Sequence, residues 1–196
     1  MNRDMNYLVW SPSNKTPNSV ALDILKGFDS VDRLWRGESL VGEFPDDAVF
    51  RMRSEFPENT VLTDSLSNLD SLIIGSQKLK EFLAAQDALN VEYHAVTIRD
   101  HKNKVVKSRY YIINPVSNVE CLDAAASGAV MSRTNKTKVK FLNKLVLRED
   151  AVDQTRKMFR VAHFDMITLV REDLATAIDK AGFTGIRWVE TSKYPR

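Results

Sequence analysis

The amino-acid sequence predicts an α+β fold, in which a mixed, largely antiparallel sheet carries two packed helices near residues 76–89 and 171–181. Two segments support this fold. Leu72–Tyr93 and Ile167–Trp188 lie 95 positions apart, and each has the pattern of a strand, a helix, a turn and a strand. A third observation is a polar turn between two runs rich in β-branched residues, which is typical of a β-hairpin.

The N-terminal third of the chain gives the weakest secondary-structure pattern. Tyr7–Trp10 has the composition of a short strand, and the prolines and polar residues of Ser11–Ser19 indicate a loop. Val20–Leu25 fits a short helix or a short strand equally well. Phe28–Asn59 contains two prolines and many charges, so we expect short strands joined by loops, for instance a strand at Val49–Arg53.

The middle of the chain predicts a helix followed by a long hairpin. Ser76 can cap a helix whose apolar residues Leu79 and Leu83 fall on one face at helical spacing. Val91–Arg99 and Val105–Asn114 are rich in β-branched and aromatic residues, with a polar turn between them. These two runs therefore predict the two strands of the hairpin.

Three further short strands are predicted after the hairpin, at Val119–Leu122, Val139–Arg148 and Lys157–Val161. The small residues of Ala124–Ala129 between the first two indicate either a plain connection or a single helical turn.

The closing segment predicts a second helix with a defined end. Leu174 and Ile178 lie on one helical face, and Gly182 stands where a left-handed C-cap is expected. A shift of 95 positions matches Leu79 with Leu174 and Leu83 with Ile178, but it does not match the glycines. We interpret the two segments as similar β–helix–β excursions, without concluding that one is a duplicate of the other.

Length and composition indicate an ordinary globular protein. The chain has 196 residues, of which 43% are hydrophobic and 28% charged. Its longest apolar runs are far shorter than the roughly 20 residues of a membrane span, and no secretory signal is visible. The single cysteine, Cys121, excludes an internal disulfide and fits a reducing compartment. We therefore expect a cytoplasmic protein without a membrane partner.

Charge is unevenly distributed along the chain, although the net charge is only +2. Residues 1–98 hold 9 basic and 15 acidic side chains, whereas residues 99–148 hold 11 basic and 3 acidic ones. Such segregation can steer a charged partner. The alternative is that interleaved strands mix these segments on the folded surface.

The basic segment holds the candidate binding residues. Lysines alternating along a strand also serve as solubilising residues and edge protectors, which is the simpler interpretation. Binding to nucleic acid is a less favoured alternative, because no recognisable nucleic-acid module is present. The candidate partner-binding residues are Arg99, Lys102, Lys104, Lys107, Arg133, Lys136, Lys138 and Lys140.

No catalytic or metal-binding pattern stands out. Cys121 with His94 or His163 could form a thiol–imidazole pair, but Cys121 lies in an apolar run and most resembles a small core residue. The three histidines are far apart in sequence and lack the spacing of a zinc motif. We therefore predict no catalytic residue, no metal site and no cofactor, and keep a small thiol enzyme as the least favoured function.

Seven short motifs follow one another along the chain: Leu62–Asp64, Ser76–Leu83, Tyr110–Asn114, Cys121–Asp123, Leu145–Leu147, Met158–Arg160 and Leu169–Trp188. Taken in this order, they resemble immunity protein family eleven of bacterial polymorphic toxin systems. The resemblance covers about two thirds of the chain, and the first 60 residues fit it only loosely. We accordingly divide the chain into a strand- and loop-rich portion, residues 1–61, and an immunity-protein-like region, residues 62–196, of the same domain.

This resemblance implies a non-catalytic protein that binds and neutralises a cognate toxin encoded beside it. By the same resemblance, Tyr110, Leu122, Gly182 and Gly185 are structural residues and not toxin contacts. An inhibitor that mimics nucleic acid would be acidic, which this chain is not overall. We expect instead that the basic segment 99–148 meets an acidic toxin surface.

Overall fold

The computed structural model describes residues 6–86 and 90–194. In these residues there are three α-helices, α1 (Val31–Trp35), α2 (Gln77–Ala85) and α3 (Glu172–Lys180). Short 3₁₀ turns lie at Glu149–Ala151 and Thr191–Lys193. The strands are β1 (Tyr7–Pro12), β2 (Ala21–Leu22), β3 (Val49–Arg51), β4 (Ser65–Asn68), β5 (Ile73–Ser76), β6 (Val91–Arg99), β7 (Tyr110–Pro115), β8 (Val130–Met131), β9 (Val139–Phe141), β10 (Met158–Arg160), β11 (Thr168–Arg171) and β12 (Ile186–Glu190).

The strands form two main sheets and a small ribbon. The six-stranded sheet has the order β2-β4-β5-β7-β6-β3, the four-stranded sheet has the order β10-β11-β1-β12, and β8 pairs with β9. Only the pairings of β2 with β4 and of β3 with β6 are parallel in the described strands. Helix α2 contacts β5 and β7, and α3 contacts β11 and β1. The predicted α+β class with largely antiparallel pairing is confirmed, but the strands divide between two main sheets.

The two β–helix–β segments have the same topology. In each, the helix connects two strands that lie on either side of a central antiparallel strand, which is β7 in one sheet and β1 in the other. A fourth strand pairs with the strand that precedes the helix: β4 pairs with β5 in one sheet, and β10 pairs with β11 in the other. We call β4, β5, α2, β6 and β7 the first unit, and β10, β11, α3, β12 and β1 the second unit. The 95-residue shift is retained by β5 and β11, by α2 and α3, and by the first residues of β6 and β12.

Strand register is also the same in the two units. The last residue of β5 pairs with Tyr110, the first residue of β7, and the last residue of β11 pairs with Tyr7, the first residue of β1. At the other end, the first residues of β6 and β12 pair with Pro115 and Pro12. The central strands therefore correspond with a shift of 103, and the sequence YYIINP aligns with YLVWSP.

The turn that follows each helix has a matching backbone conformation. Asn90 and Gly185, which correspond under the 95-residue shift, have φ angles of 64° and 82°. The carbonyl of Asn90 accepts a hydrogen bond from the N–H of Val116 at 2.7 Å, and the carbonyl of Gly185 accepts one from Ser13 at 3.1 Å. Asparagine tolerates the left-handed region better than most residues. The two units thus share a conformation here where the sequence shows no shared glycine.

The two units differ in where the central strand occurs along the chain. Strand β7 follows β6 directly through a hairpin, whereas β1 precedes every other strand of its unit. The second unit is therefore a permuted counterpart of the first.

The helix-bearing faces of the two sheets share one hydrophobic core. Leu79 and Leu83 of α2 lie in the same buried cluster as Leu174 and Ile178 of α3, so the residues matched by the 95-residue shift pack together. On the opposite face of the six-stranded sheet, residues of its strands, including the edge strands β2 and β3, form a second cluster with Leu34 of α1. The opposite face of the second sheet forms a third cluster, which includes Cys121.

The two predicted helices are largely confirmed. The helix predicted over residues 171–181 is observed as α3, and Gly182 has a left-handed φ of 76° after it. The helix predicted over residues 76–89 begins after its cap, Ser76, whose side chain accepts a hydrogen bond from the N–H of Leu79. It ends at Ala85, and residues 87–89 of the prediction lie outside the described residues.

Several predicted strands are wrong or too long. The hairpin strand predicted from residue 105 begins only at Tyr110, after three exposed polar residues. The strand predicted over Val119–Leu122 consists of isolated pairings, because the N–H of Cys121 turns back to the carbonyl of Val119. The strand predicted over Val139–Arg148 ends at Phe141, since the following buried residues are spaced by three and not by two.

Two further differences lie in the N-terminal portion. The segment expected to contain only strands and loops includes the short helix α1, whose Leu34 is fully buried. Val20–Leu25, which fitted a helix or a strand, contains the two-residue strand β2. The domain boundary at residue 61 stays a prediction, although β2 and β3 pair with strands that follow it.

Candidate partner-binding site

The structure divides the eight predicted basic residues into two groups. Arg99, Lys102, Lys104 and Lys107 surround the turn between β6 and β7, which we call the hairpin tip (residues 99–109). Strands β8 and β9 with the loop between them form what we call the ribbon (residues 130–141). Arg133, Lys136 and Lys138 lie in its loop, and Lys140 lies on β9. The ribbon belongs to the connection between β7 and β10, so it lies outside both repeated units.

These two groups are at opposite ends of the six-stranded sheet. The hairpin tip follows Arg99, the last residue of β6, whereas Pro115 pairs with Val91, the first residue of β6. Just beyond Pro115, Asn118 donates to the carboxylate of Asp165, which also pairs with Lys138 of the ribbon. The nine residues of β6 place these ends about 26 Å apart at the usual rise of a strand. The two groups do not form one continuous basic surface along this strand.

The hairpin tip is a tight turn that contains its own acidic residue. The carboxylate of Asp100 accepts hydrogen bonds from the N–H groups of Lys102 at 2.9 Å and Lys104 at 2.8 Å. The guanidinium of Arg99 donates to the carbonyl of Asn103 at 2.9 Å. Part of the positive charge of the tip is therefore offset locally.

The loop of the ribbon is held by its own hydrogen bonds. The N–H of Ser132 donates to the carbonyl of Lys138 at 2.7 Å, which closes the loop. The side-chain oxygen of Asn135 accepts hydrogen bonds from the N–H of Thr137 at 3.0 Å and from its hydroxyl at 2.6 Å. Because these bonds fix the backbone, the exposed cations of the loop are carried on a defined scaffold.

Apolar side chains are exposed on the same ribbon. Val130 and Phe141 are cross-strand partners, so their side chains share one face, and they are 53% and 51% exposed. Met131 is 41% exposed, and its partner Val139 packs against the core on the outer face of the second sheet. The ribbon thus combines basic residues with an exposed apolar pair.

Lys138 differs from its basic neighbours because it faces a buried polar group. Its ammonium lies 3.2 Å from the carboxylate of Asp165, which is only 8% exposed. The main-chain carbonyl of Asp165 accepts a hydrogen bond from Arg160, a fully buried residue whose pKa is lowered to about 10 by burial. Sequence reasoning treated Lys138 as equivalent to its neighbours, since alternation along a strand cannot reveal this inward contact.

A groove on the second unit was missed by sequence reasoning. It has a volume of about 880 Å³ and is bordered by residues from distant parts of the chain, including Leu8, Lys144 and Trp188. Its carboxylates are engaged: Glu172 accepts from the side chain of Asn6, and Asp179 accepts from the indole N–H of Trp188 at 2.8 Å. No local sequence pattern could have revealed it, because the fold alone brings these segments together.

The candidate thiol chemistry has little geometric support. Cys121 is fully buried, and burial raises the pKa of its thiol to about 11, which opposes formation of the thiolate nucleophile. His94 lies beside Glu92 and stacks on Phe44, and His163 lies beside Glu120. Across residues 6–86 and 90–194, no group of three or more His, Cys, Asp or Glu side chains is placed to hold a metal ion.

A comparison with protein-family models identifies the family. The model of Imm11, described as an immunity protein family, matches residues 11–193 of the chain. The chain belongs to this family. A search of curated proteins found no match. Among the described parts of this Imm11 protein, no helix is long and apolar enough to cross a membrane.

The Imm11 match is broader than the resemblance recognised from short motifs. It extends back to residue 11, so it includes nearly all of the N-terminal portion that fitted only loosely. Two of the motif residues are held inside the fold. Tyr110 is buried, and its hydroxyl donates a hydrogen bond to the carbonyl of Thr63. A Cβ atom at Gly185 would overlap the carbonyl oxygen of Ser65. Both positions therefore serve packing in this structure.

Proposed function

We propose that this Imm11 protein binds and neutralises a cognate toxin of a bacterial polymorphic toxin system, acting in the cytoplasm and without catalysis. The observation that carries the proposal is the family match over residues 11–193. The exposed cations of the hairpin tip and the ribbon support a contact with an acidic protein surface.

The surroundings of Cys121 support a binding function over a thiol enzyme. A catalytic cysteine needs an accessible, readily ionised thiol, whereas this one is fully buried with a raised pKa. Its neighbours in the core on the outer face of the second sheet are apolar residues such as Phe159 and Val161. We assign Cys121 to packing.

The nucleic-acid alternative is weakened by the positions of the aromatic residues next to the hairpin tip. Tyr110 is buried, and Tyr111 directs its hydroxyl to the side chain of Gln77 at the start of α2. Burial withdraws the Tyr110 ring from solvent, and the ammonium of Lys80 lies over the Tyr111 ring, 5.6 Å from its centroid. Both features oppose stacking on a base, which is the usual aromatic contribution to binding single strands. The two basic groups also lie too far apart along the sheet to form one short phosphate-binding surface.

The test is protection of cells and formation of a complex. The product of the gene encoded beside this one is expressed with and without this protein, and the pair is then co-purified. We expect growth to be restored and a stable complex to be recovered. Failure of both would contradict the proposal.

A titration separates binding from catalysis. Toxin activity is measured in vitro against increasing amounts of this protein, with Cys121→Ser as the matched control variant. We expect inhibition to be complete at a fixed molar ratio and to be the same for both proteins. Complete inhibition at a small fraction of the toxin concentration would show an enzyme instead.

A further inference from the structure

The ribbon lies within the longest stretch of the chain that has no acidic residue. Residues 124–148 contain six cations and no Asp or Glu. Within the described residues, Arg133, Lys136 and Lys140 have no carboxylate at ion-pair distance. The exposed cross-strand pair of Val130 and Phe141 lies on the same ribbon as these cations. An apolar centre with a charged rim is the usual composition of a protein-binding surface.

We propose that the ribbon is the main docking surface for the toxin, and that the matching face of the toxin is an apolar recess with an acidic rim. This inference rests on the proposed function and specifies its site. Phe141 is the apolar anchor, and Arg133, Lys136 and Lys140 pair with the acidic rim. Lys138 is not assigned to the toxin contact, because its ammonium pairs with Asp165 and so holds the ribbon to the rest of the protein.

Charge favours the ribbon over the hairpin tip. The tip contains Asp100, whose carboxylate accepts hydrogen bonds from the N–H groups of Lys102 and Lys104. The ribbon has no acidic residue in its own sequence. Asp165 pairs with Lys138, but Arg133, Lys136 and Lys140 have no such partner among the described residues, so an acidic partner can pair with these three cations. Complementary charge increases the rate of encounter and disfavours wrong partners.

The ribbon is also preorganised without being part of a sheet that the core requires. Its inner side is held by the Lys138–Asp165 pair and by the N–H of Val139, which donates to the carbonyl of His163 at 2.8 Å. Val130 and Phe141 belong to none of the buried core clusters. A surface that is already ordered loses little conformational entropy on binding, so exposed apolar residues there are well placed to contribute to affinity.

The first experiment measures affinity for the product of the adjacent gene after removal of the anchor. Phe141→Ser is compared with Val105→Ser, since Val105 is an equally exposed apolar residue beside the other basic group. We expect the dissociation constant to rise about 30-fold or more for Phe141→Ser, as for an interface hot spot, and to change less than about twofold for Val105→Ser. Circular dichroism and the urea midpoint verify that both variants are folded.

The second experiment measures association rates at low salt. The double variant Lys136→Glu with Lys140→Glu is compared with Lys102→Glu with Lys104→Glu, which changes the net charge equally at the hairpin tip. We expect association to slow at least about tenfold for the ribbon variant and much less for the tip variant. These exposed side chains leave the core unchanged, so this test stands even if Phe141→Ser fails to fold.

The outcomes distinguish this inference from the proposed function. If the wild-type protein binds the toxin and the ribbon variants bind as tightly and as fast, the ribbon is not the docking surface, and the proposed function stands. If the wild-type protein neither binds nor protects, the proposed function fails and this inference fails with it. Ribbon-dependent self-association, or ribbon-dependent binding to plain DNA or RNA, would also overturn the assignment of a toxin partner.

Discussion

The two repeated units agree in their inner structure and differ in what surrounds them. Both have four strands in the same order and register, with a nine-residue helix on the shared core. The first unit is extended at its edges by β2 and β3, whereas the second is covered by the long connection that carries the ribbon. The difference teaches that the repeated part forms the shared core, whereas the ribbon, which we propose as the docking surface, lies on a segment added to it.

The units are also joined by hydrogen bonds between the start of β4 and the turn after α3. The N–H of Ser65, on β4 of the first unit, donates to the carbonyl of Thr184 in the turn after α3. The carboxylate of Asp64 accepts hydrogen bonds from both the N–H and the hydroxyl of Thr184. Gly185, next along the chain, allows this close approach because it has no side chain.

The largest expected effect on stability comes from adding a side chain at Gly185, where the two units meet. Gly185→Ala adds a methyl group against the carbonyl of Ser65 at a φ of 82°, so both overlap and backbone strain arise. We expect a loss of about 4 kcal/mol in the free energy of unfolding, measured in urea. The matched control is Gly182→Ala, which has a similar φ but open space around it, and its loss should be about 1 kcal/mol. Equal losses would show that the junction is unimportant.

The second prediction tests whether the two units share one core. Leu79→Ala and Leu174→Ala remove the same side chain from corresponding buried positions on α2 and α3. We expect each to cost about 3 kcal/mol, and each variant to unfold in a single transition. Unfolding monitored by both fluorescence and circular dichroism provides the test. Two separate transitions would mean that the units are independently stable.

The third prediction separates the anchor of the ribbon from its exposed lysines. Lys138→Met leaves the buried carboxylate of Asp165 without its cation, and we expect a loss of about 1 kcal/mol. Lys136→Met is the control, since its side chain is exposed and its effect should stay within about 0.5 kcal/mol. A similar stability for both variants would indicate that Lys138 does not hold the ribbon.

The smallest effect concerns pH and a single difference between the units. His94 in the first unit corresponds to Val189 in the second under the 95-residue shift, and both are buried. Burial lowers the pKa of His94, although Glu92 opposes this, so the unfolded chain binds the proton more readily. Stability should therefore fall as the pH drops below the ordinary value of 6.5.

The variant His94→Val makes the first unit resemble the second at this position. We expect its free energy of unfolding to depend less on pH below 6.5 than that of the wild-type protein. Urea unfolding at a series of pH values measures both dependences. Parallel curves for the two proteins would assign the pH dependence to other groups.

Helical periodicity made α2 and α3 predictable from sequence, because Leu79, Leu83, Leu174 and Ile178 form the buried faces of their helices. The correspondence of β7 with β1 was hidden, since these strands match at a shift of 103 while the rest matches at 95. Helix α1 has only five residues, too few for a periodic pattern.

The candidate site was predictable only as a composition. The eight cations were identified from the sequence. Their separation into the hairpin tip and the ribbon is a tertiary property, because the two groups lie near opposite ends of β6. The inward contact of Lys138 with Asp165 and the exposure of Phe141 are both tertiary properties. A period of two along a strand assigns residues to faces, but it does not say which face meets the rest of the protein.

The permuted position of β1 has a consequence for folding order. All strands of the first unit come from residues 65–115, so they can pair as soon as that stretch has been synthesised. Strand β1 must find partners at residues 169–171 and 186–190, and such distant pairings close slowly. Until then its apolar residues stay exposed. Strand β1 is thus made before the rest of its unit but is among the last of its strands to reach its place.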